Sequence, residues 1–471
     1  MIQKNKVFLT FCVAILSFFN TTTAQDLNST VLSFSEYIGY VKKFHPIVKQ
    51  ANLVINEGEA KLMKARGMFD PKLAIDTEKK VFKNTEYYNK LDATFKVPTW
   101  YGIELKANFE QNDGSFLNPE TSIPANGLYS AGISVSLAQG LLINKRMAAV
   151  KQAKLFKQQA KADRDILVSA ILSEAAKSYL NWLKKYNEVT IYENFLQNAE
   201  FRFNSIKRSV LNGDMAAIDS IEARITKNTR KLDLIKAKVK FTQATLELSN
   251  FLWLKNLAPL ELQDGVIPQV NATDEIDATL GTSTFNDNLT NLDNHPKLLS
   301  LDYKYQILKV DRNLKINQLL PKIDLQYNFL TETPDLLSSY STSAYKSGLS
   351  VRFPLFLRKE RGNLQFAKIK LQNTRYEIDA TRLNIQNKIS GIQSELASFT
   401  EQNSVNKTIV EDYEKMLSAE ERKFSIGESS LFLVNSRESK LMEARLKAVS
   451  LENKFFNTKV KLFVTLSNPN N

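Results

Sequence analysis

The stretch VTIYENFLQNAEFRFNSIKRSVLNGDMAAIDSIEARITKNTRKLDLIKAKVKFTQATL, residues 189–246, decides the fold. Its apolar residues Val189, Tyr192, Leu196, Ala199, Phe203, Ile206 and Val210 recur at alternating steps of three and four, the spacing of a coiled-coil seam. Asn212-Gly213-Asp214 then stops the helix. The seam resumes at Ile218, Ile221 and Ile225 and runs on through Leu232, Ile235, Val239 and Leu246, with Asn228 and Thr242 at the skipped positions. The pattern predicts two antiparallel helices joined by a tight turn at Gly213 and packed along these rows. A seam this narrow suits helices laid side by side in a tube or bundle.

Outward from this hairpin the chain repeats itself. His45-Pro46 returns as His295-Pro296 and Pro71-Lys72 as Pro321-Lys322, both 250 residues on. Gly132-Ile133-Ser134-Val135 returns as Gly348-Leu349-Ser350-Val351, and Gly213-Asp214 as Gly427-Glu428. Punctuation kept in order at such offsets indicates an internal duplication. Each copy reads helix, strands, long helix, turn, helix. The long helices, ending near Leu211 and Ile426, should each span about 105 Å at 1.5 Å per residue. Two shorter helices stacked end to end would match each one. The expected organisation is residues 1–24, a leader; 25–254, a first repeat with a β region at 71–139; 255–293, a linker rich in Asn, Thr, Asp and Pro; 294–466, a second repeat with a β region at 321–356; and a tail at 467–471.

The leader reading rests on Lys4 and Lys6, an apolar run from Val7 to Phe19, and Thr22-Thr23-Ala24 as a cleavage site, the pattern of a secretory signal peptide. The only cysteine, Cys12, falls within that run, so disulfides and thiolate metal ligands are excluded. No later apolar run reaches the length of a spanning helix, which leaves a β-barrel as the route into a membrane. The formal net charge of +13 is spread among acidic residues on helix faces, and nucleic acid is not the expected partner.

The strand segments alternate with period two. Ile323, Leu325, Tyr327 and Phe329 oppose Asp324, Gln326 and Asn328; Leu349, Val351, Phe353 and Leu355 oppose Ser350 and Arg352. Tyr101 to Phe109 and Ile133 to Leu137 alternate likewise. Leu91 to Val97 makes a further strand, and Leu73, Ile75 and Val81 a less regular one. A soluble sandwich and an outer-membrane barrel share this dyad. The charged polar face suits a water-filled lumen, and four strands in the first copy with two in the second are too few for packed sheets. Six strands cannot enclose a pore matching such helices, so several chains must share one barrel.

The duplicated order, the His-Pro and Pro-Lys punctuation, Val351-Arg352-Phe353-Pro354-Leu355-Phe356 leading into a helix, and the glycine turns together resemble the TolC family of outer-membrane efflux proteins. The stretch from Tyr87 to Gly102 looks like the longer first β region of some members from the Bacteroidetes. The resemblance implies a mixed α and β membrane protein: long antiparallel coiled-coil helices form a periplasmic tunnel, and β-strands are contributed to a trimeric outer-membrane barrel. It implies an exit duct of a tripartite efflux or type I secretion system. The partners are then two further copies, a periplasmic adaptor, an inner-membrane pump and outer-membrane lipid. The turns at Gly213, Asp214 and Met215 and at Gly427, Glu428, Ser429 and Ser430 would be tips on which the adaptor docks.

Two departures from the family pattern stand out. The first copy has an extra strand pair, within about residues 77–99, that either enlarges the barrel or projects from it. The acidic ring that some members carry after the second turn is replaced by Leu433, Asn435, Ser436 and Arg437, with only Glu438 acidic, whereas Asp219 and Glu222 follow the first turn. Asp219 or Glu222 of one chain facing Arg437 of the next is the candidate gate; solvated, unpaired side chains are the plain alternative. Ile323, Leu325, Tyr327, Phe329, Leu349, Val351 and Phe353 are the expected lipid face. His45 and His295 lack a third ligand and read as helix punctuation. With no phosphate loop or nucleophile motif, neither catalysis nor a cofactor is expected. A periplasmic coiled-coil scaffold with a soluble sheet is the alternative function.

Overall fold

The computed structural model describes residues 31–466 apart from 264, 271–272, 282–291 and 335–340. The leader at 1–24 and the tail at 467–471 lie outside the described residues. The first repeat opens with strand β1 (Val31–Leu32) and helices α1 (Phe34–Phe44) and α2 (Pro46–Arg66). Strands β2 (Lys72–Phe82), β3 (Thr85–Pro98), β4 (Ile103–Asp113) and β5 (Leu128–Ser136) follow, then the long α3 (Lys145–Leu211) and α4 (Ala217–Ser249). Strand β6 (Ile267–Pro268) and helix α5 (Thr273–Leu280) lie between the repeats. The second repeat contains α6 (Pro296–Asn317), β7 (Lys322–Thr331), β8 (Tyr345–Arg352), α7 (Arg358–Ser425) and α8 (Leu431–Leu466).

Local chemistry sets the helix boundaries. Ser33 caps α1 by accepting the Glu36 amide, and Glu36 occupies the third position of a capping box. His45 then ends α1 and starts α2: its Nδ1 accepts the Ile47 amide at 3.2 Å, with Pro46 as the first helical residue. His295 does the same for α6, accepting the Lys297 amide at 3.1 Å, while its Nε2 lies 2.8 Å from the Thr465 carbonyl. Burial holds both imidazoles below their ordinary pKa of 6.5, in the neutral form that has an accepting nitrogen to spare. The repeated His-Pro pair is therefore a repeated helix cap.

Helices α3, with 67 residues, and α7, with 68, are each about 100 Å long. Helices α2 and α4 pack along α3, and α6 and α8 along α7. Contacts of α3 with α6 and α8 join the two repeats into one wall. Its lateral order toward the turns is α4, α3, α8, α7, so α4 and α7 are the edges there. The largest core lies midway along α3: Phe34, Tyr37 and Val41 of α1 meet Val168, Leu172, Tyr179 and Trp182 of α3, Leu248 of α4, Ile276 of α5 and Phe456 and Val460 of α8. The Tyr179 hydroxyl donates to the Leu32 carbonyl, 2.8 Å away. Strands β1 and β6 pair in parallel beside this core.

The Gly213 hairpin differs from the sequence reading in one respect. Helix α3 uses the expected row, with Val189, Ala199 and Ile206 buried. Helix α4 presents a different row to it: Ala223, Arg230, Leu234, Ala237, Ala244 and Leu248. Small alanines let the two backbones approach. The large aliphatic row, Ile218, Ile221, Ile225, Leu232, Ile235, Val239 and Leu246, points away from the chain, each residue 47% exposed or more. In the half of α7 nearer the sheet, where α6 is its neighbour, Phe366, Ile369, Tyr376 and Leu383 are exposed at heptad-related spacing.

Candidate channel wall and tip

Strands β2 to β5, β7 and β8 form one antiparallel sheet in the order β2-β3-β4-β5-β7-β8. Its faces follow from period two and the register. Phe95 of β3 pairs with Ala107, Ala107 with Ala131, Ala131 with Phe329, and Phe329 with Tyr345. The next row joins Val97, Leu105, Ile133, Tyr327 and Ser347. Leu325, Leu349, Val351 and Phe353 are 40–66% exposed, so this apolar face has no cover within the chain. Ile323, Tyr327 and Phe329 share it at intermediate exposure.

The opposite face is polar and internally bonded. Thr94 Oγ1 lies 2.7 Å from Asn108 Oδ1, and Asn108 Nδ2 donates to Glu110 at 2.9 Å. Ser136 donates to Asp324 at 2.9 Å, and Arg352 and Lys322 reach the same carboxylate at 3.2 and 3.4 Å. Lys106, Asn108, Glu110, Ser130, Asn328 and Lys346 line a hollow on this face. The two repeats join at β5–β7, where a Cβ on Gly132 would lie 2.0 Å from the Tyr327 carbonyl oxygen and 2.5 Å from the Asn328 Cα. Only glycine fits that seam without a backbone shift.

At the far end of the helices the two turns are built alike. Gly213 has φ 88° and Gly427 φ 80°. The Asp214 amide donates to the Ser209 carbonyl and the Glu428 amide to the Lys423 carbonyl, both at 2.9 Å, which closes each helix with a left-handed cap. The turns touch one another: Met215 and Phe424 pack on a cluster of Ile206, Ala223 and Leu431. Gly213, Asp214, Gly427, Glu428 and Ser430 are exposed, and Ser429 donates to Glu420 at 2.6 Å.

Two of the candidate gate residues, Arg437 and Glu222, have partners inside the chain. Arg437 lies 3.6 Å from Glu420. The Ser429 hydrogen bond and the Arg437 guanidinium together hold the Glu420 carboxyl below the usual range. Glu222 accepts from Asn435 at 3.0 Å, and Asp219 lies in the first turn of α4. The chain does not bring Arg437 together with Asp219 or Glu222.

Sequence reading passed over the charged cluster deeper in the wall. Glu438 is 1% exposed and takes a short hydrogen bond from Arg202, while Arg230 stands 3.8 Å from its other oxygen. Arg202 also binds Glu421 at 3.0 Å, and Arg230 donates to Ser439 at 2.8 Å. The four helices α3, α4, α7 and α8 meet here. The sequence carried no local signal for it, because Arg230 lies off the row that the heptad spacing picks out on α4. Among the described residues no helix is long and apolar enough to cross a membrane, and no group of His, Cys, Asp and Glu is placed to hold a metal ion.

Residues 290–466 match the family model for outer membrane efflux proteins. None of the curated proteins matches the sequence. Among solved structures, the fold is similar to the VceC outer membrane protein of Vibrio cholerae, with 13% identity, a TM-score of 0.64, and 92% of this chain and 95% of that one covered. The open-state MtrE outer membrane channel of Neisseria gonorrhoeae gives 13%, 0.64, 92% and 89%. The CmeC outer membrane channel of Campylobacter jejuni gives 13%, 0.61, 92% and 85%.

Proposed function

We propose that this chain, which carries an outer membrane efflux protein domain over residues 290–466, is one of three copies forming a passive outer-membrane exit duct. The observation that carries the reading is the pair of unfinished edges. The sheet ends in bare strands with an uncovered apolar face, and the helical wall ends in exposed apolar rows on α4 and α7. Copies placed edge to edge bury both rows and leave a polar lumen continuous with a tunnel. The duct has no catalytic step; an inner-membrane pump supplies the energy, and a periplasmic adaptor connects the two.

The test uses the α4 row. Ile225→Asp with Ile235→Asp should abolish the heat-modifiable trimer in outer-membrane fractions. It should leave the helical content of the chain unchanged, because neither side chain is in its own core. An undiminished trimer would remove the edge-to-edge reading, and a soluble wild-type monomer would remove the duct.

The adaptor contact is assigned to the exposed turns. An added Cβ at Gly213 or Gly427 meets nothing within 4 Å, so Val there acts only through the positive φ. The strain is about 1 kcal/mol or more. Export should fall with trimer level near normal. Cysteine at Ser429 should capture the adaptor by cross-linking; equally efficient capture from cysteine at Gln326 would dismiss the tips.

A further inference from the structure

We propose that the β2–β3 hairpin is a third pair of wall strands, and that β2 of each copy pairs with β8 of the next, so that six strands in each of three copies make one 18-stranded barrel. The proposal rests on the reading of the chain as a trimeric outer-membrane duct. A hairpin projecting from a four-stranded wall would pair only with itself. Here β3 is bonded along its length to β4, from Asn89 opposite Asp113 to Pro98 opposite Glu104.

Both faces of the wall also continue onto the hairpin. Leu73 extends the apolar row Phe95, Ala107, Ala131, Phe329 and Tyr345, so one row crosses all six strands. Ile75 extends the row of Ala93, Phe109 and Tyr129. On the other face, Lys72 joins Lys96, Lys106, Gly132, Asn328 and Lys346. Leu73 and Ile75 are 68% and 61% exposed, as lipid contact requires. Toward the hairpin turn the outward positions become Lys79 and Asn89, which ends the apolar band.

The edges then name their occupant. Every residue of β2 and of β8 is exposed, and each strand has one bare row of amides and carbonyls. Such rows are not left unpaired in hydrocarbon. An even number of antiparallel strands makes β8 of the next copy run antiparallel to β2, continuing the same ladder. The neighbour's Leu349 and Val351 would then extend the apolar band beside Leu73 and Ile75. With strands about 4.8 Å apart and tilted about 40°, 18 strands give a backbone diameter of about 36 Å, against about 24 Å for a 12-stranded wall lacking the hairpin.

The experiment replaces Cys12, the only cysteine, by serine and scans paired cysteines on membrane-extracted protein. One is placed at Lys72, Ala74 or Asp76 of β2, the other at Lys346, Gly348 or Ser350 of β8. Oxidation should give covalent dimers and trimers from at least one combination. Cysteine at Lys106 or Asn108 of β4 with the same β8 positions should give none. Trimers joined through β4, with the β2 thiols free, would overturn the proposal while leaving the duct standing. Recovery of soluble monomer would overturn the duct and the proposal with it. Independently, a fluorophore on cysteine at Ile75 should lose emission in brominated lipid, and one at Asp76 should not. Equal emission at the two positions would overturn the placement of the hairpin in the wall.

Discussion

Arginine at Val351 or Leu325 should sharply lower the yield of outer-membrane trimer, whereas arginine at Ser350 or Gln326 should leave it near normal. The first two are 59% and 40% exposed on the apolar face of the sheet. A guanidinium facing hydrocarbon near the midplane costs roughly 2–4 kcal/mol per chain, and three copies carry it at once. The other two share the polar face with Arg352, whose guanidinium already reaches Asp324 at 3.2 Å. That face accommodates a cation beside a carboxylate and water. The measurement is the heat-modifiable band in outer-membrane fractions at matched expression. Equal yields from the two pairs would show the faces to be reversed or the sheet to lie outside lipid.

Glu438→Gln should be the most damaging single change in the helical wall. It keeps the shape of the side chain and removes the only carboxylate between Arg202 and Arg230, which are 13% and 7% exposed. Breaking a buried ion cluster by removing one partner costs about 3–5 kcal/mol; here Arg230 loses its carboxylate and Arg202 keeps only the exposed Glu421. The thermal midpoint of the helical circular dichroism signal should fall well below wild type. Replacing all three residues together, with Arg202→Leu, Arg230→Met and Glu438→Leu, should recover most of the loss, since well-packed apolar groups substitute for buried ion pairs at little or no cost. An unshifted midpoint for Glu438→Gln would mean that water reaches the cluster.

How far the fold could be read from the sequence depends on the range of the signal. The strands were legible because their alternation is local and unbroken: Ile323 to Phe329 announces its two faces within seven residues. The turns were legible because Gly213 ends a strong heptad row and Gly427 repeats its punctuation after a weaker one. The partner of each apolar row was not. Ile218 to Leu246 is the more hydrophobic row of α4, and periodicity alone assigns the best row to the nearest helix. The chain instead turns Ala223, Leu234, Ala237 and Ala244 toward α3 and leaves the stronger row outward. A helix in a closed tube has two neighbours, and a single-chain pattern does not say which row meets which.

The same limit applies at the tip. Arg437 was visible as the basic residue after the second turn, but Glu420, its partner, lies on the preceding helix at a distance set by the turn. Whether the hairpin at residues 72–98 enters the wall also depended on β3–β4 register, which is a property of pairing and not of composition.

The seam between β5 and β7 has a consequence for the order in which the protein is made. Ser136 and Asp324, joined across it, are 188 positions apart, whereas β2 to β5 pair with their successors in the chain. Non-local strand pairing is slow, because the intervening segment must be ordered before the contact is rewarded. The meander of β2 to β5 therefore waits with both borders open until the second repeat arrives. The helical hairpins, whose contacts are local, should mature first and the sheet of one chain next; in the proposed trimer, joining between chains comes last. A chain caught between the first and second stages carries its oily face and two unpaired borders through water, and that interval is when it most needs a chaperone.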